Sequence, residues 1–546
     1  MDTQQRYLNW LNEPTLSKEE KDILKNLSSS EIEEAFYQDL SFGTGGIRGV
    51  LGLGTNRMNI YIIRKATFGF GRYLLKHNLL EGVAIAYDNR HMSYEFAKEA
   101  AKVLAALGIK SYVYKNLRPT PMLSFTVRHL NLSAGIMITA SHNPKEYNGY
   151  KVYNKTGSQL SIDESNEVIE YINQVENPFE IKTLDNELIH YLNDEIDDIY
   201  LKEVISIAVH KDIKKDINIV YSPLHGTGGT LAPKLLKGSG YNVYPVESQM
   251  IPDPNFSATE SSNPEEKQSF NASIELAKKV NADIILVTDP DADRLGVGVL
   301  HEGTYHLLTG NQTAALMLYY ILSEQKTPDG FVYTTVVTSE LIKKIGESFH
   351  KNIGETLTGF KFIGEQAERI SKTNYTYLFG CEESYGSLVK DFVRDKDAIQ
   401  AVYLLAEIAN TLKSRNLTMV DYLNLIYEKY GYYVDETISI SLKGIEGQQR
   451  IKKIMNYFRT RGLHINQFNV TNTIDYIKGK MNPHDIYLPP SDVIRFESDK
   501  GFIIFRPSGT EPKLKIYFSI KENTKELARN TIDILKQEVF NIIEEI

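Results

Sequence analysis

Short apolar runs that end abruptly on polar or glycine-rich loops recur along most of the chain. Gly82–Tyr87 runs into Asp88-Asn-Arg90, Ala134–Ala140 into Ser141-His142-Asn143-Pro144, Ile217–Ser222 into Pro223–Gly229, and Asp283–Thr288 into Asp289–Arg294. Runs of this length, bounded by Pro, Gly and Asn, read as buried strands, and the longer segments between them read as helices. Such alternation predicts α/β units with mixed or parallel sheets, whose ligands gather at the carboxyl ends of strands. Ala314–Leu322 is a buried helix candidate, and a helix-rich unit begins near Gly310. From about Tyr432 the pattern turns to strand-rich alternation, as in Glu436–Leu442, and the chain closes on a helix from Lys525 to Ile546. On that helix Leu527, Thr531, Ile534, Leu535, Glu538 and Ile542 trace one face for packing on a small sheet. The acidic amphipathic stretch from Asp185 to Ile207 is expected to bridge the first two units.

Length and charge narrow the class. A chain of 546 residues exceeds what one core supports, so about three or four domains are expected. A formal charge of −9 argues against a general nucleic-acid-binding surface, and any positive field for phosphates has to be local. Cys381 is the only cysteine, which excludes an intrachain disulfide framework and a multi-cysteine metal site. No apolar run approaches the ~20 residues that span a bilayer. The opening Met1–Tyr7 lacks the plan of a secretory signal. A cytoplasmic enzyme without membrane insertion is the expectation.

Four loops carry candidate chemistry. Ser141 stands on a loop directly after an apolar strand, with Lys151 ten residues on. A serine hydroxyl needs a base, a metal or an attached phosphate to react at neutral pH, and a phosphorylated serine nucleophile is the reading with consequences; a capped turn is the plain alternative. Asp289, Asp291 and Asp293 present carboxylates at alternate positions, a hard oxygen site suited to Mg²⁺ or Ca²⁺ whose mutual repulsion a cation would relieve. An EF-hand is excluded, because the sixth position from Asp289 is Arg294 where Gly is needed, and the twelfth is Leu300 where Glu is needed. Phe379–Gly386 offers Glu382 and Ser384 to sugar hydroxyls. Arg506, Ser508, Gly509 and Thr510, between two strand-like runs, form a plausible phosphate cradle or else a plain hairpin turn.

TASHNP, DPDADR, EES and RPSGTEPK, in this order and spacing, resemble the four active-site loops of the α-D-phosphohexomutase superfamily. The similarity runs from Gly43-Thr-Gly-Gly-Ile-Arg48-Gly to the last helix. Thr358-Gly359-Phe-Lys361 and Asp391–Asp397 further resemble the phosphoglucomutase and phosphopentomutase branch, especially its bacterial α-phosphoglucomutases. Phosphomannomutase-type members carry a histidine shortly after the sugar-loop serine, where this chain has Tyr385 and Gly386. The resemblance implies three α/β mixed-sheet domains and a C-terminal α+β domain around a central cleft, the last of them mobile. The corresponding ranges are 1–207 with the phosphoserine loop, 208–310 with the metal loop, 311–431 with the sugar loop and 432–546 with the phosphate loop.

It also implies reversible phosphoryl transfer between C1 and C6 of glucose phosphate, through phospho-Ser141 and glucose 1,6-bisphosphate. Mg²⁺ would be held by Asp289, Asp291, Asp293 and the phosphate on Ser141. Lys151 and Arg48 would move protons and stabilise phosphate, with Lys396 placed in that role by resemblance alone. His142 and Arg294 would steady the phosphoserine and metal loops. Thr358, Gly359, Glu382 and Ser384 would hold the sugar, and Arg506, Ser508, Gly509 and Thr510 the distant phosphate. Gly226 and its neighbours read as a structural turn. Pentose or mannose phosphates, an aspartate-nucleophile phosphotransferase using Asp289 and Asp291, and a sugar-phosphate-binding protein without activity are the alternatives. The oligomeric state is not legible.

Overall fold

A computed structural model of the chain describes residues 2–43, 45–442, 444–508 and 513–546. Four principal sheets follow one another along it. The first runs in the order Gly46–Val50, Tyr147–Asn154, Ala134–Ile138, Val83–Tyr87, Ser111–Tyr114, Ile189–Leu192, parallel except for Tyr147–Asn154, which runs antiparallel to both its neighbours. The second is ordered Thr304–Leu308, Leu295–His301, Ile284–Thr288, Asn218–Ser222, Asn242–Pro245, with an antiparallel edge at the Thr304–Leu308 side. The third centres on Gly330–Thr335, flanked in parallel by Asn352–Thr356 and Thr376–Cys381. The fourth is antiparallel throughout: Tyr432–Ser441, Lys513–Glu522, Gly501–Pro507, Ile494–Ser498, Asn472–Asp475. The chain is therefore an α/β protein of several mixed sheets, as the alternating pattern predicts.

The central strands are apolar on both faces, and Val83–Tyr87, Ala134–Ile138 and Ile284–Thr288 are buried at every position. Helices cover both sides of such strands, which is why they read as continuous apolar runs. The helix Gly310–Glu324 is buried over most of its length, as its composition requires. Two elements differ from expectation. Within 185–207, a strand Ile189–Leu192 closes the edge of the first sheet before the helix Glu195–Ile205 starts; at an edge, four residues suffice and leave little trace in the pattern. On the last helix, Lys525–Glu545, the buried face is Ala528, Thr531, Ile532, Leu535, Val539 and Ile543, while Leu527 and Ile534 are exposed. The stripe lies about one position from the expected one, and the small Ala528 lets the helix sit close to its sheet.

Candidate active site

The four loops converge on one half-open cleft of about 2280 Å³ bordered by residues from the units of all four sheets. Arg48, Ser141, His142 and Lys151 border it from the first sheet, and Asp293 and Arg294 from the second. Thr358, Gly359, Glu382, Ser384 and Lys396 border it from the third, and Arg506 and Ser508 from the fourth. Gly509 and Thr510 lie outside the described residues.

Ser141 follows strand Ala134–Ile138 on a buried turn and takes a left-handed conformation, φ +53°. Its Oγ donates to Asp289 Oδ2 at 2.9 Å and lies 3.2 Å from His142 Nδ1. Burial, reinforced by the cations Arg294 and Arg48, holds His142 well below the usual imidazole range, so the ring is neutral. Arg48, on the antiparallel edge strand, donates to Asn143 Oδ1 at 2.8 Å and so grips the same loop.

The aspartate loop is fixed by partners from three directions. Thr227 N–H donates to Pro290 O, Thr120 N–H to Asp291 O and Ala398 N–H to Ala292 O, at 2.8, 2.9 and 3.2 Å. Gly226 permits the first contact, since a Cβ there would collide with the Pro290 backbone; its turn packs against the aspartate loop. The three aspartates are buried, and one oxygen from each falls within a 4.8 Å cluster. Asp289 Oδ1 accepts from the amides of Asp293 and Arg294, both at 3.0 Å. Asp291 Oδ2 accepts from Thr120 Oγ1 at 2.8 Å and from Lys151 Nζ at 2.9 Å. Lys396 Nζ lies 3.1 Å from Asp293 Oδ2.

Burial pushes the Asp289 carboxyl well above the usual carboxylate range, and Asp291 and Asp293 add to it by repulsion. At Asp291 burial acts in the same sense but loses to the Lys151 ammonium, and the carboxyl falls below its ordinary value. Lys151 and Lys396 are held protonated, burial being outweighed by Asp291 and Asp293 for the first and by Asp293 and Asp395 for the second. Asp291 Oδ1 and Asp293 Oδ1 are nonetheless buried without any hydrogen-bond partner. Orphaned carboxylate oxygens beside a serine hydroxyl suit a hard divalent cation, which takes oxygen ligands and offsets repulsion.

The sugar-loop residues hang on this centre. Leu295 N–H donates to Tyr385 O at 3.1 Å and Arg294 bridges to Gly386. A Cβ at 386 would collide with the Lys396 side chain, so glycine there makes room for the lysine. Glu382 Oε1 accepts from Gly359 N–H at 2.8 Å, at the start of helix Phe360–Ile370. Strand Gly501–Pro507, which carries Arg506, pairs with Lys513–Glu522 as the plain hairpin reading holds, with Ser508 N–H donating to Lys513 O. Its Arg506 Nη1 donates to Tyr517 Oη at 3.2 Å and faces the cavity.

Several residues at the site carried no signal of their own in the sequence. Asp395 accepts from Tyr153 Oη at 2.9 Å, Gln159 Nε2 at 3.0 Å and Lys396 Nζ at 3.2 Å, and so orients that lysine. The segment 251–266 straps the Ser141 loop from the second sheet: Ser262 Oγ donates to His142 O at 3.1 Å, and Glu265 pairs with Arg294 at 2.5 Å. Arg90 reaches the centre from the end of strand Val83–Tyr87, and Thr120 from the first turn of helix Thr120–His129. For Arg90 the position after a strand was a usable hint, and for Asp395 its place in the run Asp391–Asp397.

Comparison with known proteins agrees with this fold. Phosphoglucomutase/phosphomannomutase α/β/α domains I, II and III match residues 39–179, 198–302 and 309–430. A phosphoglucomutase of Staphylococcus epidermidis is 40% identical over 517 residues, spanning 92% of this chain and 94% of its own length. One from Staphylococcus aureus is 40% identical over 515 residues, spanning 92% and 93%. Among solved structures, pp63/parafusin from Paramecium, a phosphoglucomutase in its open form, superposes with a TM-score of 0.72 at 19% identity, covering 93% of this chain and 96% of its own. A phosphoglucomutase/phosphomannomutase family protein from Burkholderia thailandensis gives 0.70 at 19% identity, covering 92% and 97%. By the extent of these matches the chain belongs to the phosphoglucomutase/phosphomannomutase family, within the α-D-phosphohexomutase superfamily.

Proposed function

We propose that the chain is an α-phosphoglucomutase, interconverting α-D-glucose 1-phosphate and glucose 6-phosphate. The observation that carries this reading is the Ser141 hydroxyl donating to a buried three-carboxylate cluster on the floor of a cavity bordered by separate loops for sugar and phosphate. Phospho-Ser141 gives its phosphoryl group to the free hydroxyl of the bound monophosphate, forming glucose 1,6-bisphosphate. The bisphosphate turns over, and its other phosphate returns to Ser141. In each half the Ser141 O–P bond breaks or forms as that to the sugar oxygen forms or breaks. Lys151, protonated in this state, suits the task of giving a proton to the departing Ser141 oxygen and recovering one from the sugar hydroxyl. Glu382, Ser384, Thr358 and Gly359 orient the sugar in both poses. Arg506 and Ser508, with Gly509 and Thr510, hold whichever phosphate is not reacting, and Arg48, His142 and Lys396 complete the charge around the reacting one.

Asp289, Asp291, Asp293 and the phosphate on Ser141 would hold Mg²⁺, which neutralises charge on the transferring group when bound. The substrates are small sugar phosphates, and the cytoplasm is the expected place of work. The division at 207, 310 and 431 is kept because each principal sheet draws all its strands from one of the four ranges.

Asp289 is a poor rival nucleophile: both its oxygens accept hydrogen bonds, and the residue is fully buried beneath the cavity. A side-by-side assay on glucose, mannose and pentose monophosphates tests the activity. Mass spectrometry after acid treatment tests the intermediate, because phosphoserine survives acid and an acyl phosphate does not. Phosphate on Asp289, or no glucose phosphate turnover, would remove this reading.

A further inference from the structure

The loop that displays Ser141 is shaped by a guanidinium from outside it. Arg90 lies just beyond strand Val83–Tyr87, the parallel neighbour of strand Ala134–Ile138. Its side chain is wholly buried. Nη2 donates to Ser141 O at 2.6 Å and to Asn143 O, and Nη1 donates to Pro144 O at 2.8 Å and Tyr147 O at 3.1 Å. Four carbonyls within seven residues therefore converge on one cation, and all four terminal N–H groups are used. Asp88 Oδ2 lies 3.3 Å from Arg90 Nε as an ion pair and its Oδ1 accepts from Arg90 N–H at 2.9 Å; Asp88 also accepts from Thr139 Oγ1 at 2.7 Å, and Thr139 Oγ1 in turn accepts from Ser141 N–H at 2.8 Å. The Phe256 ring of the strap lies 5.2 Å from the guanidinium carbon.

A left-handed serine costs on the order of 1–3 kcal/mol and persists only where its surroundings over-determine it. Here they do: Arg90 draws the carbonyls inward while Ser141 Oγ points to Asp289. We infer that Arg90 is a positioning residue for phosphoryl transfer, holding Ser141 on the line between the carboxylate cluster and the incoming sugar. The inference rests on Ser141 being the phosphoryl acceptor. Arg90 does not bind substrate itself, because it is buried and its terminal donors are spent. Its charge alone would not serve, since a lysine carries its three donors on a single atom and cannot span four carbonyls.

The test is Arg90→Lys in the full chain, after mass spectrometry has established phosphate on Ser141 of the wild type. Misplacement of a reacting group by ~1 Å costs about 100-fold, so kcat should fall by tens to a hundredfold while KM for glucose 1-phosphate stays within about threefold. Amide exchange should quicken in 140–147 and not in the strands of the first sheet. A folded Arg90→Lys protein with kcat within about threefold of wild type, or a loss carried by KM, overturns the inference. If Arg90→Lys fails to fold, Asp88→Asn decides: a kcat loss of about five- to tenfold at constant KM supports the inference, and wild-type kcat overturns it. Wild-type protein that never carries phosphate on Ser141 would remove the proposed function and this inference together. Phosphorylated wild type beside an unimpaired Arg90→Lys removes this inference alone.

Discussion

Two clusters of carboxylates and cations stand where sheets of this chain meet, one with its carboxylates fully buried and the other with its carboxylates partly exposed. One gathers Asp289, Asp291 and Asp293 around Lys151 and Lys396. The other gathers Glu340, Glu355 and Glu497 around Arg495 and Lys343, where the fourth sheet meets the third. Arg495 pairs with Glu340 at 2.5 Å and Glu497 at 2.7 Å, donates to Val336 O at 2.7 Å and stacks its guanidinium 4.3 Å from the Phe502 ring. Among the described residues, no side chain of this second cluster has a buried polar atom without a partner, whereas Asp291 and Asp293 each do. At Glu340 and Glu355 burial is outweighed by Lys343 and Arg495 and both carboxyls move down, Glu340 to about 2. In the aspartate cluster Asp289 moves up and Asp291 down. A saturated cluster is a fastener. An unsaturated one that borders a cavity still has ligand capacity.

The difference can be broken most severely at Ser141. Ser141→Ala should lower turnover by about 10⁴-fold or more, since no neighbouring group replaces the nucleophile, while the unfolding midpoint stays in place. Wild-type-like turnover by the folded variant would sink the covalent intermediate. At the fastener the expectation reverses: Arg495→Met leaves three half-buried glutamates against one lysine and should ease opening of the third–fourth sheet junction by about 1.5–3 kcal/mol, the worth of a charge-assisted contact. Amide exchange in 330–340 and 494–498 reads that change, and unaltered exchange would mean the cluster fastens nothing.

The same cluster sets an acid dependence. Glu340 is depressed from 4.5 to about 2, so its contribution is complete above pH 4.5 and drains away as pH falls towards 2. Docking of the fourth sheet, followed by exchange or limited proteolysis across that window, should weaken in wild type and much less in Glu340→Gln.

Asp291→Asn should cost about 100-fold in rate and shift the Mg²⁺ requirement upward, because one anionic ligand is gone. A variant that titrates with Mg²⁺ like wild type would detach the metal from this cluster. The mildest expected effect lies within the fourth sheet itself, where Arg495 is sealed in the fastener while Arg506 faces the cavity. Arg506→Ala should lose one charge-assisted contact, about 1.5–3 kcal/mol, and lower kcat/KM for both monophosphates by roughly ten- to a hundredfold. It should also raise the need for added glucose 1,6-bisphosphate. If both monophosphates are turned over as before, the loop is only the hairpin its strands form.

The chain itself determined what lies within a few residues of a strand end. Ser141 with its following turn, the alternating aspartates, Glu382 with Ser384, and the alternation of strands and helices are local patterns, governed by burial periodicity and by turn and ligand chemistry that a short window contains. Tertiary structure decided whatever depends on distant segments meeting. Arg90 becomes a clamp only because its strand pairs beside that of Ser141, and Thr120, Asp395 and Ser262 reach the centre from three further segments. The buried stripe of the last helix was set by the sheet it packs on, not by its own apolar count. The same holds for electrostatics: Asp289 and Glu340 are both acidic side chains in a sequence, and only the partners that folding places around each make one a candidate ligand and the other a fastener.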